Sequence, residues 1–320
     1  MPTIDELFDL ALQQGASDIH LIVGLPPYLR INGELQAQNQ FPLLRAEDSE
    51  ALCFSILTES QRDRFIKQRD LDISYTIRGG SNARARINLN WEKGNAGLVA
   101  RVIPSVIPSL DEILVPPIVP ELLKTRRGMI LVTGPTGCGK STTLASMISY
   151  INETRTSHIV TLEDPIEFIH SPKKSIIRQR QLGSDVLTFL EGLRHVVRED
   201  PDIVMVGEMR DLETISATLT LAETGHLVLA TLHTANAVQT IDRIIDAFPP
   251  HQQNQIRLQL SLTLKAVISK KLLPRIEGGR LPVYEVLINT TAISTVIRDN
   301  RTLQIRSILE TSGDIGMVNM

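Results

Sequence analysis

The residues Gly134-Pro135-Thr136-Gly137-Cys138-Gly139-Lys140-Ser141 spell G-x-x-x-x-G-K-S and follow directly on the apolar run Met129-Ile130-Leu131-Val132-Thr133. A buried strand that runs into such a loop is a device for gripping phosphate. Glycines let the backbone turn its N–H groups inward around the phosphate oxygens, Lys140 reaches the β/γ oxygens, and Ser141 offers its hydroxyl to Mg²⁺. Beyond Ser141, the stretch Thr142-Thr143-Leu144-Ala145-Ser146-Met147-Ile148 places Leu144, Met147 and Ile148 at helical spacing. That helix turns its positive N-terminus toward the same anion. The pattern predicts a nucleoside triphosphate site built from Gly134, Pro135, Thr136, Gly137, Cys138, Gly139, Lys140, Ser141 and Thr142.

Three further apolar runs end in polar residues. His158-Ile159-Val160-Thr161-Leu162 leads into Glu163-Asp164-Pro165-Ile166-Glu167, Asp202-Ile203-Val204-Met205-Val206 into Gly207-Glu208, and Leu227-Val228-Leu229-Ala230-Thr231 toward His233. In parallel α/β sheets ligands sit outside the carboxyl ends of the strands, so these are the candidates for chemistry. The second ATPase motif usually ends its strand on an Asp that serves the metal; Gly207 occupies that place here, which passes the metal side, or the role of base, to Glu208. If Glu208 faces the metal, a second carboxylate must orient the attacking water, and Glu163 is the choice. Glu163, Asp164 and Glu167 also read as an acidic turn capping the next element. His226 and His233 bracket one strand and stand roughly 23 Å apart if it is straight, so only His233 is at the catalytic end. His20, His158, His170, His195 and His251 read as structural histidines.

Along 83–91, Arg84, Arg86, Asn88 and Asn90 point one way and Ala85, Ile87, Leu89 and Trp91 the other; Arg101 alternates with Ala100 and Val102 on the next strand. These arginines are either a solvated sheet face or fingers that bring positive charge to a triphosphate held by the second domain of the same or an adjacent subunit.

Two domains must position these groups. A chain of 320 residues, 42% of them hydrophobic, naturally divides in two. The first hundred residues predict an α+β unit: a helix over 4–14 with Ile4, Leu7, Phe8 and Leu12 on one stripe, a short strand at 19–23, a helical region over 47–69, and antiparallel strands at 71–77, 83–91 and 97–103 joined through 78–82 and 92–96. Pro104, Pro108, Pro116, Pro117 and Pro120 then favour a stiff, extended joint over 104–120. Beyond it, buried strands at 129–133, 158–162, 202–206 and 227–231 alternate with helices, as in a parallel sheet covered on both faces. From about 250 to 310 the pattern is helical, with Ile256, Leu260, Leu264, Val267 and Ile268 as packing positions.

The net charge of −3 gives no electrostatic footprint for nucleic acid. Two distant cysteines, Cys53 and Cys138, fit a reducing cytoplasm, with Cys138 a small residue at a tolerant loop position or, alternatively, a redox site. The N-terminus carries no signal-peptide pattern and no run of about 18 apolar residues occurs, so membrane association is expected only through a partner.

Together these segments resemble the secretion ATPase superfamily, and most closely the type IV pilus retraction (twitching motility) ATPases. The resemblance runs nearly end to end and rests on Gly15-Ala16-Ser17-Asp18-Ile19-His20-Leu21, the phosphate loop, Thr161 to Phe168, Arg198 to Asp211, and Ala222 through His226 to Thr234. It implies a hexameric ring of PAS-like N-terminal and RecA-like P-loop domains that hydrolyses ATP with Mg²⁺ beneath a platform protein of the inner membrane, at its cytoplasmic face. It further implies that Arg84, Arg86 and Arg101 complete a neighbouring site, that Glu163 serves the attacking water, and that Ser141 and Glu208 serve the metal. Retraction ATPases usually carry Ala-Ile-Arg-Asn-Leu-Ile-Arg-Glu near the C-terminus, where this chain has Ala292-Ile293-Ser294-Thr295-Val296-Ile297-Arg298-Asp299. The assembly branch is the alternative, but this chain has neither its tetracysteine zinc insertion nor its N-terminal extension. A nucleic-acid translocase, or an accessory ring subunit with little turnover, are weaker readings.

Overall fold

Caps, tight turns and two kinds of apolar patterning build two separate compact units, described by the computed structural model over residues 2–77, 83–103, 106–276 and 279–320. The first comprises Met1–Val106 with Pro165–Ile169, the second Ile107–Asp164 with His170–Met320.

In the first unit, helix α1 (Ile4–Gln13) opens on a capping box between Thr3 and Glu6 and buries Ile4, Leu7, Phe8 and Ala11. The region read as one helix over 47–69 is two, α2 (Ala46–Ser55) and α3 (Glu59–Gln68). The break is chemical: the Thr58 hydroxyl accepts from the Gln61 N–H while Gln61 reaches back to the Thr58 N–H, which starts a new helix. Six strands, β1 (Asp18–Leu21), β2 (Tyr28–Ile31), β3 (Glu34–Ala37), β4 (Asp70–Thr76), β5 (Arg84–Glu92) and β6 (Asn95–Ile103), form an antiparallel sheet in the order β3-β2-β1-β6-β5-β4. The β2–β3 hairpin is absent from the sequence reading. Its turn is Asn32-Gly33, both at positive φ (51° and 91°), the two-residue connection whose twist suits a hairpin. Lys93-Gly94 makes the same turn between β5 and β6. The connection expected at 78–82 and Pro104 lie outside the described residues.

The second unit is a seven-stranded sheet, β7 (Gly128–Thr133), β8 (His158–Glu163), β9 (Ile176–Gln181), β10 (Ile203–Val206), β11 (Leu227–Leu232), β12 (Leu264–Pro274) and β13 (Arg280–Ile288), ordered β13-β12-β7-β11-β10-β8-β9. All neighbours are parallel except the β12–β13 hairpin. Both faces are buried, so Met129 and Leu131 enter one core cluster while Ile130 and Val132 enter another. That is why the strands read as unbroken apolar runs.

Two local expectations are corrected. The stretch 104–120 is not extended throughout, because helix α4 (Ile118–Leu122) begins inside it. Pro117 caps that helix and Pro120 sits in its first turn, where a missing N–H costs little. Leu110 and Val119 are buried in the same cluster as Ile130 and Val132. The helical reading of 250–310 also fails over β12 and β13: α9 (Pro250–Thr263) stops at Leu264, whose backbone is extended (φ −58°, ψ 134°), and β12 then pairs with β7 and β13. Val267 and Ile268 face opposite clusters, so a strand buried on both sides had mimicked helical spacing. The remaining helices, α5 (Lys140–Thr154), α6 (Phe189–Val196), α7 (Leu212–Glu223), α8 (Ala237–Asp246), α10 (Thr291–Arg298) and α11 (Ile305–Thr311), complete the unit. Among the described residues no helix is long and apolar enough to cross a membrane.

Ile268 has no exposed surface. Ile268→Ala should cost about 2–5 kcal/mol and lower the melting temperature by several degrees, checked by thermal unfolding; an exposed helical position would tolerate the change.

Candidate active site

Strand β7 delivers the chain into the phosphate loop, and α5 begins at Lys140. Gly134, Gly137 and Gly139 take φ values of 145°, 78° and 87°, a region open to glycine alone or at strain. At Gly134 there is also no room, since a Cβ would fall against the carbonyl of Lys270 on β12 and 2.7 Å from the Cys138 sulfur. Cys138 is buried against the loop it belongs to. Pro135, Thr136 and Gly137 form the exposed lip, while Ser141 and Thr142 open α5, Ser141 exposed and Thr142 partly so. The Lys140 ammonium is buried and donates to the carbonyls of Gly134 (2.8 Å) and Pro135 (3.2 Å).

Because β7, β8, β10 and β11 run parallel, their carboxyl ends share one edge of the sheet. His233, one residue beyond β11, bridges that edge. Its Nδ1 lies 3.3 Å from Lys140 Nζ and 3.4 Å from Thr136 Oγ1, and its Nε2 lies 3.1 Å from Glu208 Oε1. An ammonium can only donate, so Nδ1 accepts and Nε2 carries the proton toward the carboxylate. The other Glu208 oxygen accepts from Arg210 Nε at 2.8 Å, and Arg210 also reaches Asp164 at 3.4 Å. Ion-pairing with Glu208 raises the guanidinium pKa further.

Glu163 closes β8 on the same edge. Its Oε1 accepts from Thr161 Oγ1 (2.7 Å), two residues earlier on the same face, and from Gln179 Nε2 (3.1 Å), across on β9. Gln179 is itself fixed by the His170 N–H, which donates to its carbonyl oxygen at 2.8 Å. Between the two carboxylates stands Gly207, whose N–H donates to Leu162 O; a Cβ there would come 3.1 Å from that oxygen and 3.4 Å from Glu163 Cα. The loop, Lys140, Glu163, Glu208 and His233 thus fall at one sheet edge, as the strand ends predicted. Thr161, Gln179 and Arg210 were not singled out. Gln179 was missed with its strand, because Ile176-Ile177-Arg178-Gln179-Arg180-Gln181 has the polar alternation of a sheet edge and few apolar residues.

His226 does lie at the opposite end of β11, where its Nδ1 meets the Leu221 carbonyl at 3.0 Å behind α7. His158 meets the Asp200 carbonyl in the same way, and burial drives the pKa of His170 down to about 4. Glu167 falls in the 165–169 stretch, which belongs with the first unit.

In that first unit the arginines lie as the alternation predicts. Ala85, Ile87 and Leu89 are buried, whereas Arg86 and Arg101 are exposed. Cross-strand register sets Arg30, Asp18, Arg101, Arg86 and Ser74 in one row across β2, β1, β6, β5 and β4. Asp18 pairs with Arg101 (2.9 Å) and Arg30 (3.7 Å), and Arg84 donates to the Ser74 hydroxyl through Nε and Nη2.

Comparison with known proteins agrees with this geometry. Residues 117–279 match the family described as Type II/IV secretion system protein. The type IV pilus retraction ATPase PilT of Pseudomonas aeruginosa is 45% identical over 98% of this chain and 90% of its own length. A twitching motility protein of Neisseria gonorrhoeae is 46% identical over 92% of this chain and 78% of its own. The crystal structure of the pilus retraction motor PilT with bound ADP superposes with a TM-score of 0.92 at 44% identity, covering all of this chain and 95% of the other. This chain therefore belongs to the type II/IV secretion family, among its ATP-hydrolysing pilus retraction ATPases.

Proposed function

We propose that the chain hydrolyses ATP at the carboxyl edge of its parallel sheet and that six copies, arranged in a ring, couple this to retraction of a type IV pilus. One observation carries the reading: Lys140 of the phosphate loop, His233 and Glu208 form a continuous hydrogen-bonded chain, and Gly207, next to Glu208, packs against the backbone of Glu163. Loop amides and Lys140 bind the polyphosphate. Glu163, held by Thr161 and Gln179, orients the attacking water, and His233 ties the loop to Glu208 so that the terminal phosphate and the metal side respond together.

The oxygen donors beside the loop, the Ser141 hydroxyl and the Glu208 carboxylate, suit Mg²⁺. Among the described residues no cluster of three or more His, Cys, Asp or Glu side chains is arranged to cage a metal, which fits an ion that takes most of its ligands from phosphate and water. When bound, Mg²⁺ neutralises charge on the polyphosphate.

Arg84, Arg86 and Arg101 supply positive charge to the site of a neighbouring copy. The ring works in the cytoplasm against a platform protein of the inner membrane, which is its only tie to the membrane, and it makes no direct contact with nucleic acid. A strain lacking the protein should lose twitching and become hyperpiliated; bald cells would place the protein in pilus assembly instead.

Turnover assays test the site assignments. Lys140→Ala and Glu208→Ala should each lower kcat by about 10²–10³ or more, and Glu163→Gln should do the same while ATP still binds. Full activity in Glu163→Gln would move the water-orienting role elsewhere. Gly207→Asp restores the usual acidic residue of the second motif, yet it should reduce kcat by about 10², because the new Cβ displaces the backbone beside Glu163. Arg84→Ala should fold normally and turn over slowly. Mixed with Lys140→Ala protein it should regain activity, whereas no rescue would confine the arginine to its own subunit.

A further inference from the structure

Directly behind the phosphate loop lies a second lysine that the mechanism above does not use. Lys270 on β12 is only 4% exposed, the next residue after Ser269, which pairs with Thr133 at the end of β7. Its ammonium donates to Thr143 Oγ1 at 3.0 Å, and that hydroxyl donates to the Gly139 carbonyl at 3.0 Å, so the charge is hydrogen-bonded into the first turn of α5. A Cβ on Gly139 would lie 3.2 Å from the same Nζ, which puts the ammonium against the floor of the loop. The ring of Tyr284, its cross-strand partner on β13, stands 5.3 Å from Nζ. Among the described residues no carboxylate lies within ion-pair distance of it, and the one opposing influence is the thiol of Cys138.

A buried ammonium without an anion is costly, and its pKa is accordingly held below the usual lysine value by burial. Hydrophobic neighbours of similar volume would be more stable there. The ligand of this loop is itself a polyanion.

We infer that Lys270 is a second, buried cation of the phosphate site, a positioning residue that raises affinity for nucleoside polyphosphates through the floor of the loop at the expense of the stability of the nucleotide-free protein. This rests on the nucleotide site proposed above and adds a residue to it. Acting through Thr143 and through its field, Lys270 favours the more highly charged ligand, because a unit charge within about 10 Å of a phosphate is worth about tenfold or more in affinity at an effective dielectric of about 20.

The test pairs two measurements on the full chain carrying Lys270→Met, and on Lys270→Gln, which keeps a donor for Thr143. Nucleotide-free variants should melt about 2–4 °C above wild type. In titration calorimetry they should bind ADP about tenfold more weakly or worse, with a smaller loss for AMP. Variants that melt at or below wild type, or that bind ADP as tightly as wild type, overturn the inference. A wild-type chain that does not bind ADP overturns the nucleotide site itself.

Discussion

A polyanion held by main-chain amides requires a backbone that side chains forbid, and this requirement organises the second unit. Gly134 is confined twice, by its φ of 145° and by the β12 carbonyl that occupies the place of any Cβ. The loop is thus a surface laid on a strand more than a hundred residues later in the chain. Register between β7 and β12 holds that floor in place, with Val132 opposite Ile268 and Thr133 opposite Ser269, whose hydroxyls are 3.0 Å apart. The β12–β13 hairpin is consequently as much part of the candidate nucleotide site as the glycines are. A phosphate loop on a mobile floor would have to be ordered by its ligand and would lose affinity by that cost.

Parallel pairing extends this local device into a candidate catalytic edge. Each parallel strand points its carboxyl end the same way, so residues just beyond β8, β10 and β11 converge although they are far apart in sequence. Close approach then depends on the smallest residue at the middle strand. With Gly207 following β10, the Glu163 and Glu208 backbones can lie side by side, and Thr231 can donate to the Gly207 carbonyl at 2.5 Å to fix the turn. An aspartate there would keep the charge and lose the packing.

Legibility in the sequence followed how local the determining physics is. The phosphate loop, β7 and α5 are set by adjacent residues, and the placement of Glu163, Glu208 and His233 needed only the rule for parallel strand ends. The Asn32-Gly33 turn was equally local and was passed over because its flanking strands are short. By contrast, β12 carries the same apolar spacing as a helix, and only pairing with β7 decides the matter. Gln179 became visible through Glu163, its partner across two strands, and Lys270 through the glycines it touches. Neither sits in a motif.

The arginine face poses the remaining physical question, since its residues are exposed and a solvated surface would explain them at no cost. Register bears on the choice. Arg86 and Arg101 are direct cross-strand partners, and like charges in that relation repel. Asp18, the carboxylate of the row, is shared between Arg101 and Arg30, so Arg86 stands beside a guanidinium whose counterion is already divided. The other carboxylates of this face, Asp70 and Asp72 on β4, stand opposite Asn90 and Asn88 and not opposite an arginine. A row with surplus positive charge on the adjacent strands β5 and β6 is the feature behind the proposal that these arginines meet a concentrated negative charge. The terminal phosphate of a nucleotide is such a charge, and a γ-phosphoryl group in transfer spreads it over three oxygens that several guanidinium groups can meet at once.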